Sequence, residues 1–151
     1  MTALAGLLAA GCGTAGAARD EPLRVIVVRH AEKADDGSAD PALSPQGMAR
    51  ARALADQLAS TPLAAVYATP LRRARQTAAP VAQRHGVAVR TYPADMAAAA
   101  LAVQLRAHRT GTVLVVGHSN TVPALASALC ACPVAAIGDG TYGGRYDLRF
   151  G

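Results

Sequence analysis

Four short aliphatic runs recur along this chain, Leu23–Val28, Leu63–Ala68, Val87–Tyr92 and Thr112–Gly117, and helical spacing follows each of them. Continuous runs of this length suit strands buried on both faces, as in a parallel sheet. After the first run, residues 43–60 carry Ala51, Leu54, Ala55 and Leu58 at helical spacing behind Ser44, a cap candidate, and Pro45, a first-turn residue. Residues 69–86 repeat that start signal with Thr69 and Pro70 and stop at Gly86, and Pro80 is expected to kink or split this helix. Residues 95–109 and about 121–129 read as further helices, and 141–150 alternates like a last strand at an edge. Strands alternating with helices in this way predict βαβ units and an α/β fold around a mostly parallel sheet. Loops are short except for Lys33–Pro41, a polar, acidic stretch expected to be flexible and able to cover a site.

At 151 residues the chain is long enough for one domain with its own core. Residues 1–20, MTALAGLLAAGCGTAGAARD, are set apart from the domain expected over 21–151. Ala3 to Ala10 is too short to span a bilayer but fits the apolar region of a signal peptide, and LLAAGC resembles a bacterial lipobox with Cys12 as the lipid anchor. No Lys or Arg precedes the apolar run, which leaves two readings. One is an exported protein of the cell envelope, lipid-anchored in the periplasm. The other is a cytoplasmic protein with an Ala/Gly-rich tail.

The net charge of +5 is carried mostly by arginine, the planar binder of phosphate and carboxylate. Four Tyr, one Phe, no Trp and no basic run interleaved with aromatics argue against nucleic acid as a partner. Cys130 and Cys132 form a C-x-C pair without the second Cys/His pair that zinc requires. Two buried small residues are the favoured reading of that pair, with a disulfide open to an exported chain.

Ligands of parallel α/β sheets bind at the carboxyl ends of the strands. The first run is followed by Arg29, His30, Ala31 and Glu32, the second by Thr69, Pro70, Leu71, Arg72 and Arg73, and the fourth by Gly117, His118, Ser119 and Asn120. Two histidines and several arginines therefore fall on one rim. His85 and His108 stand at helix ends, where a cation complements the helix dipole, and are read as structural. Arginines clamp a phosphoryl group, a neutral imidazole attacks phosphorus, and a second, protonated histidine stabilises the equatorial oxygens. The GHSNT turn at a helix start adds backbone donors. There is no Walker loop, magnesium-type carboxylate pair or H-E-x-x-H, so the expected chemistry uses no metal and no cofactor.

These segments resemble the histidine phosphatase superfamily, the phosphoglycerate mutase-like fold. RHAEK is similar to its R-H-G-E motif with Ala31 in place of Gly. Leu43, Ser44, Gly47, Ala51 and Leu54 match a second element, TPLRRARQT a third, and VVGHSNTVP the second-histidine motif. The resemblance implies a three-layer sandwich with helices on both faces of the sheet. It implies a metal-independent phosphatase of the compact branch, in which His30 takes the phosphoryl group and Arg29, Arg73 and His118 complete the phosphate pocket with Ser119. Arg73 is preferred to Arg72 in that alignment. The carboxylate that protonates the leaving group falls at Asp95, equally readable as a helix cap before MAAAAL, and Glu32 becomes a carboxylate holding arginines in place. The partners implied are a small phosphate ester or a phosphorylated protein. A degenerate module that binds phosphate or a phosphoprotein without turnover stays open as the alternative.

Overall fold

The computed structural model describes residues 21–151. The lipobox-like segment with Cys12 lies outside the described residues. The elements run β1 (Arg24–Arg29), α1 (Pro45–Gln57), β2 (Leu63–Ala68), α2 (Arg72–His85), β3 (Val89–Thr91), α3 (Ala98–Arg106), β4 (Thr112–Gly117), α4 (Thr121–Cys130) and β5 (Arg145–Arg149). They form one five-stranded sheet in the order β3-β2-β4-β1-β5. The first four strands in that order are mutually parallel, and β5 closes the β1 edge antiparallel.

Alternation along the strands divides the core into two layers. Ile26, Val28, Val66, Leu114 and Val116 point to the face covered by α1 and α2, where Ala55, Leu58, Ala74, Ala78 and Val81 pack against them. Val25, Val27, Ala65, Val113 and Val115 point to the face of α3 and α4, against Leu101, Leu105, Val122, Leu125 and Leu129. The result is an α/β three-layer sandwich. Every residue of β4 is buried, which is why its run is aliphatic without interruption. Each such side chain contributes about 1.5–3 kcal/mol of burial.

Ser44 caps α1, accepting the Gly47 N–H at 3.1 Å, with Pro45 in the first turn. The start of α2 differs from the sequence expectation. The helix begins at Arg72 with Leu71 at the cap position and no side-chain bond of its own. Its cap comes from the 33–41 loop: the Asp40 carboxylate accepts the Arg72 N–H at 3.0 and 3.2 Å. That loop is therefore tied to α2, and a bridge between Lys33 and Leu43 closes its base. Helix α2 runs through Pro80 without a break. Pro80 is only partly buried, while Thr77, Ala78, Val81 and Ala82 beside it are buried and carry the packing. Gly86 ends the helix in the left-handed conformation.

The Cys130–Cys132 pair is a disulfide at the end of α4, and Cys132 is exposed. The reading as two buried small residues is corrected: α4 ends there with Ala131 in the left-handed conformation, and the turn brings the two sulfurs together at the surface.

Candidate active site

Strand register brings the two histidines together. Arg29 pairs with Gly117 across β1 and β4, and the His30 N–H continues the ladder to the Gly117 carbonyl at 2.8 Å. His30 and His118 thus leave neighbouring strands side by side, with ring centroids 5.3 Å apart. On the other flank Ala68 of β2 pairs with Val116, so Thr69 stands beside the second histidine and its Oγ1 lies 2.8 Å from His118 Nε2.

The turn that carries His118 is tight. A Cβ on Gly117 would meet Val122 Cγ2 at 3.0 Å, Thr121 Oγ1 at 3.1 Å and the Tyr92 hydroxyl at 3.1 Å. Glycine lets β4 pass straight into α4, where the Thr121 and Val122 N–H groups turn back to the His118 carbonyl. The positive end of the α4 dipole therefore faces the same rim. Behind the turn, the buried Tyr92 hydroxyl donates to the Val116 carbonyl at 3.0 Å, and burial pushes its pKa up to about 12.

His30 is 5% exposed. Its Nδ1 sits 2.8 Å from the Ala31 carbonyl, an acceptor only, so Nδ1 carries the proton. Nε2 is left with its lone pair, and the Arg73 Nε–H donates to it at 3.3 Å. Burial is the largest influence on His30 and lowers its pKa; the Ala31 bond opposes this, and the charges of His118, Arg73 and Arg29 add to it, giving about 4. Burial, then Arg73 and Arg29, likewise bring His118 down to about 4. Both rings are neutral near pH 7. The expectation of a protonated second histidine does not hold for the free protein, because no carboxylate pairs with the ring to offset burial and two guanidiniums. An incoming phosphoryl group supplies that charge.

Arg29 Nη1 donates to the carbonyls of Gly138, Asp139 and Thr141 at 3.1, 2.8 and 2.8 Å, and the Tyr142 ring lies 4.2 Å from its Cζ. Its buried Nε has no partner among the described residues. Arg73 is steered by His30 and by Asp40, 3.7 Å from its Nη1. These groups open on a cleft of about 600 Å³ lined by Arg29, His30, Lys33, Arg73, His118 and Ser119, among others.

The model of the histidine phosphatase superfamily, branch 1, matches residues 25–96. A SixA structure from Agrobacterium tumefaciens, a candidate phosphohistidine phosphatase, is 26% identical with a TM-score of 0.58, covering 71% of this chain and 76% of that one. Residues 25–96, just under half of the chain, are thus similar to the histidine phosphatase superfamily. A second solved structure, of the protein histidine phosphatase SixA complexed with tungstate, is 23% identical with a TM-score of 0.69 over 82% of this chain and 86% of that one, and shows the shared fold. The uncharacterized protein Rv0525 of Mycobacterium tuberculosis is 55% identical over 51 residues, 34% of this chain and 25% of that protein. The chain matches only a quarter of that relative's length.

The structure brings Arg29, His30, Arg73, His118 and Ser119 to one cleft, and Arg72 stays outside it. Two carboxylates are placed differently from expectation. Glu32 binds no pocket arginine; it takes both oxygens to Arg50 of α1, with Nε at 2.9 and 2.8 Å, and Arg50 holds its carboxyl below the usual range. Asp95 is exposed in the turn closed by the Met96 N–H on the Pro93 carbonyl, and Ala94 rather than Asp95 faces the cleft. Asp95 is not the cap of α3 either, which starts at Ala98 behind Ala97. His85 and His108 are structural, set against the Leu58 carbonyl at 3.0 Å and the Tyr67 hydroxyl at 2.9 Å. Thr69, Asp139 and Tyr142 belong to the site and were not singled out from sequence. Thr69 ends β2 on the same rim, a signal hidden because Thr-Pro also reads as a helix start.

Proposed function

We propose that the chain is a metal-independent phosphatase that works through a phosphohistidine on His30. The observation that carries this reading is the fixed tautomer: Nδ1–H is committed to the Ala31 carbonyl, and the Nε2 lone pair faces a cleft lined by Arg29, Arg73 and His118. A phosphoryl group seated there meets a neutral nucleophile and cationic groups that take up the charge of its oxygens. Nε2 forms a bond to phosphorus as the ester P–O bond breaks and the electron pair leaves on oxygen. Water then forms a new P–O bond, the P–N bond breaks, and the pair returns to Nε2. Thr69 acts on His118 as a positioning residue, setting the ring that contacts the oxyanion.

The open cleft favours accessible phosphate monoesters or phosphorylated protein side chains, a reading supported by the related phosphohistidine phosphatase structures. Turnover of para-nitrophenyl phosphate and of phosphohistidine peptide, measured with and without EDTA, tests it. Wild-type activity should survive chelation, compete with tungstate, the oxyanion in the related SixA structure, and vanish in His30→Ala. Activity retained in that variant refutes the mechanism. Phosphate binding without turnover in the wild type identifies the binding-module alternative instead.

We also propose export with a lipid anchor on Cys12, supported by LLAAGC and by an exposed disulfide suited to an oxidising compartment. A palmitate analogue should label the wild type and not Cys12→Ser; unlabelled wild type in the soluble cytoplasm refutes the anchor.

A further inference from the structure

We infer that Asp139, on the loop before β5, is the general acid that protonates the leaving group. The inference rests on the phosphatase reading above and assigns a step which that reading leaves without a residue. Asp139 is the sole carboxylate among the residues lining the cleft. The other acidic side chains near the rim are committed elsewhere or turned away. Glu32 is held by Arg50, Asp40 caps α2 and pairs with Arg73, and Asp95 lies off the cleft wall. The Asp139 carboxylate makes no ion pair or side-chain hydrogen bond among the described residues, so nothing competes with a substrate for it.

Its backbone is nonetheless well placed. The Asp139 carbonyl accepts from Arg29 Nη1 at 2.8 Å, flanked by the Gly138 and Thr141 carbonyls on the same nitrogen. Tyr142 of the same loop stacks on that guanidinium, its ring centroid 6.3 Å from that of His30. The residue that meets phosphate therefore also registers the loop carrying Asp139. In-line attack sends the leaving oxygen away from His30. His30 is buried and Asp139 is an exposed residue of the cleft lining, so the departing oxygen moves outward to the side of the cleft on which Asp139 lies.

The proton balance closes on this residue. As the ester P–O bond breaks, the Asp139 carboxylic acid gives its proton to the leaving oxygen and becomes a carboxylate. That carboxylate takes a proton from the water attacking the phosphohistidine. Phosphate leaves, the P–N electron pair returns to His30, and Asp139 is again protonated. The assignment was unreadable from sequence because Asp139 stands over a hundred positions from His30 and follows no strand.

The test is a leaving-group series from para-nitrophenyl to phenyl to alkyl phosphate, run on wild type, Asp139→Asn, Asp95→Asn and His30→Ala. General acid catalysis contributes typically about 10²–10⁴-fold. Asp139→Asn should therefore lose about 100-fold or more on phenyl and alkyl esters and only a few-fold on para-nitrophenyl phosphate, whose leaving group needs little help. Inhibition by inorganic phosphate should be unchanged, showing an intact pocket. A uniform loss across the series, no loss, or a graded loss in Asp95→Asn in its place overturns the assignment. Turnover surviving in His30→Ala overturns the phosphatase reading itself, so the two failures are separable.

Discussion

Gly47 offers a substitution on which two physical effects disagree in sign. It sits in the first turn of α1, where alanine is the better helix former by about 0.8–1.0 kcal/mol. Helix propensity alone predicts that Gly47→Ala stabilises. The packing predicts the reverse. A Cβ at this position would lie 2.1 Å from the Glu32 backbone oxygen and 3.0 Å from its carbonyl carbon and nitrogen. The obstacle is backbone, which cannot rotate aside, so α1 must back away by roughly 0.9 Å to reach 3.0 Å. Overpacking of this kind typically costs about 1–3 kcal/mol. The retreat also loosens the Ser44 N–H bond to the Glu32 carbonyl, 2.8 Å long and worth about 1 kcal/mol. Offsetting the propensity gain leaves a net loss of about 1–3 kcal/mol. Thermal and urea denaturation should show Tm lower by roughly 4–10 °C with an unchanged m-value. The consequence reaches the chemistry, because Glu32 follows the Ala31 carbonyl that holds His30 Nδ1. The kcat/KM of the folded variant should fall as well. A Tm equal to or above wild type would refute the reasoning, since propensity would then have outweighed the contact.

Three further outcomes follow from the same geometry. Thr69→Val keeps the volume of a fully buried side chain and removes the contact to His118 Nε2; kcat/KM should fall about 10-fold, equivalent to about 1.4 kcal/mol, and an unchanged value would show that His118 needs no such support. His30 and His118 have folded pKa values of about 4 against 6.5 unfolded, so between those values the unfolded chain binds more protons and stability falls as pH drops; each contributes at most about 3 kcal/mol. Their NMR ring signals should stay neutral at pH 5.5, and midpoints near the ordinary value would contradict the burial argument. Reduction of Cys130–Cys132 opens a loop so short that loop entropy predicts a loss of only about 1–2 kcal/mol, with turnover retained; a collapse of the fold in dithiothreitol would show that the bond does more.

Some of this molecule could be read before any coordinates. The strands Leu63–Ala68 and Thr112–Gly117 were legible to the residue because each is an unbroken aliphatic run bounded by polar or glycine positions. Helix α1 was legible because Ser44, Pro45 and the Ala51–Leu58 spacing agree. The placing of His30, His118 and Arg73 in one cleft was legible because strand ends share a rim. Local signals failed where a distant partner overrode them. Thr69 looks like a cap but stands against a histidine 49 positions away, and α2 takes its cap from Asp40 instead. Glu32 looks like part of the pocket but pairs with Arg50 across α1. Asp139 and Tyr142 reach Arg29 through a loop whose path no local pattern specifies.

The central claim is that phosphate passes through His30 Nε2, and rapid quench in base during turnover tests it most directly. An acid-labile, base-stable phosphoryl adduct that mass spectrometry maps to His30 should form in the wild type and be absent in His30→Ala. Turnover with no adduct, or an adduct on another residue with activity intact in His30→Ala, would contradict it.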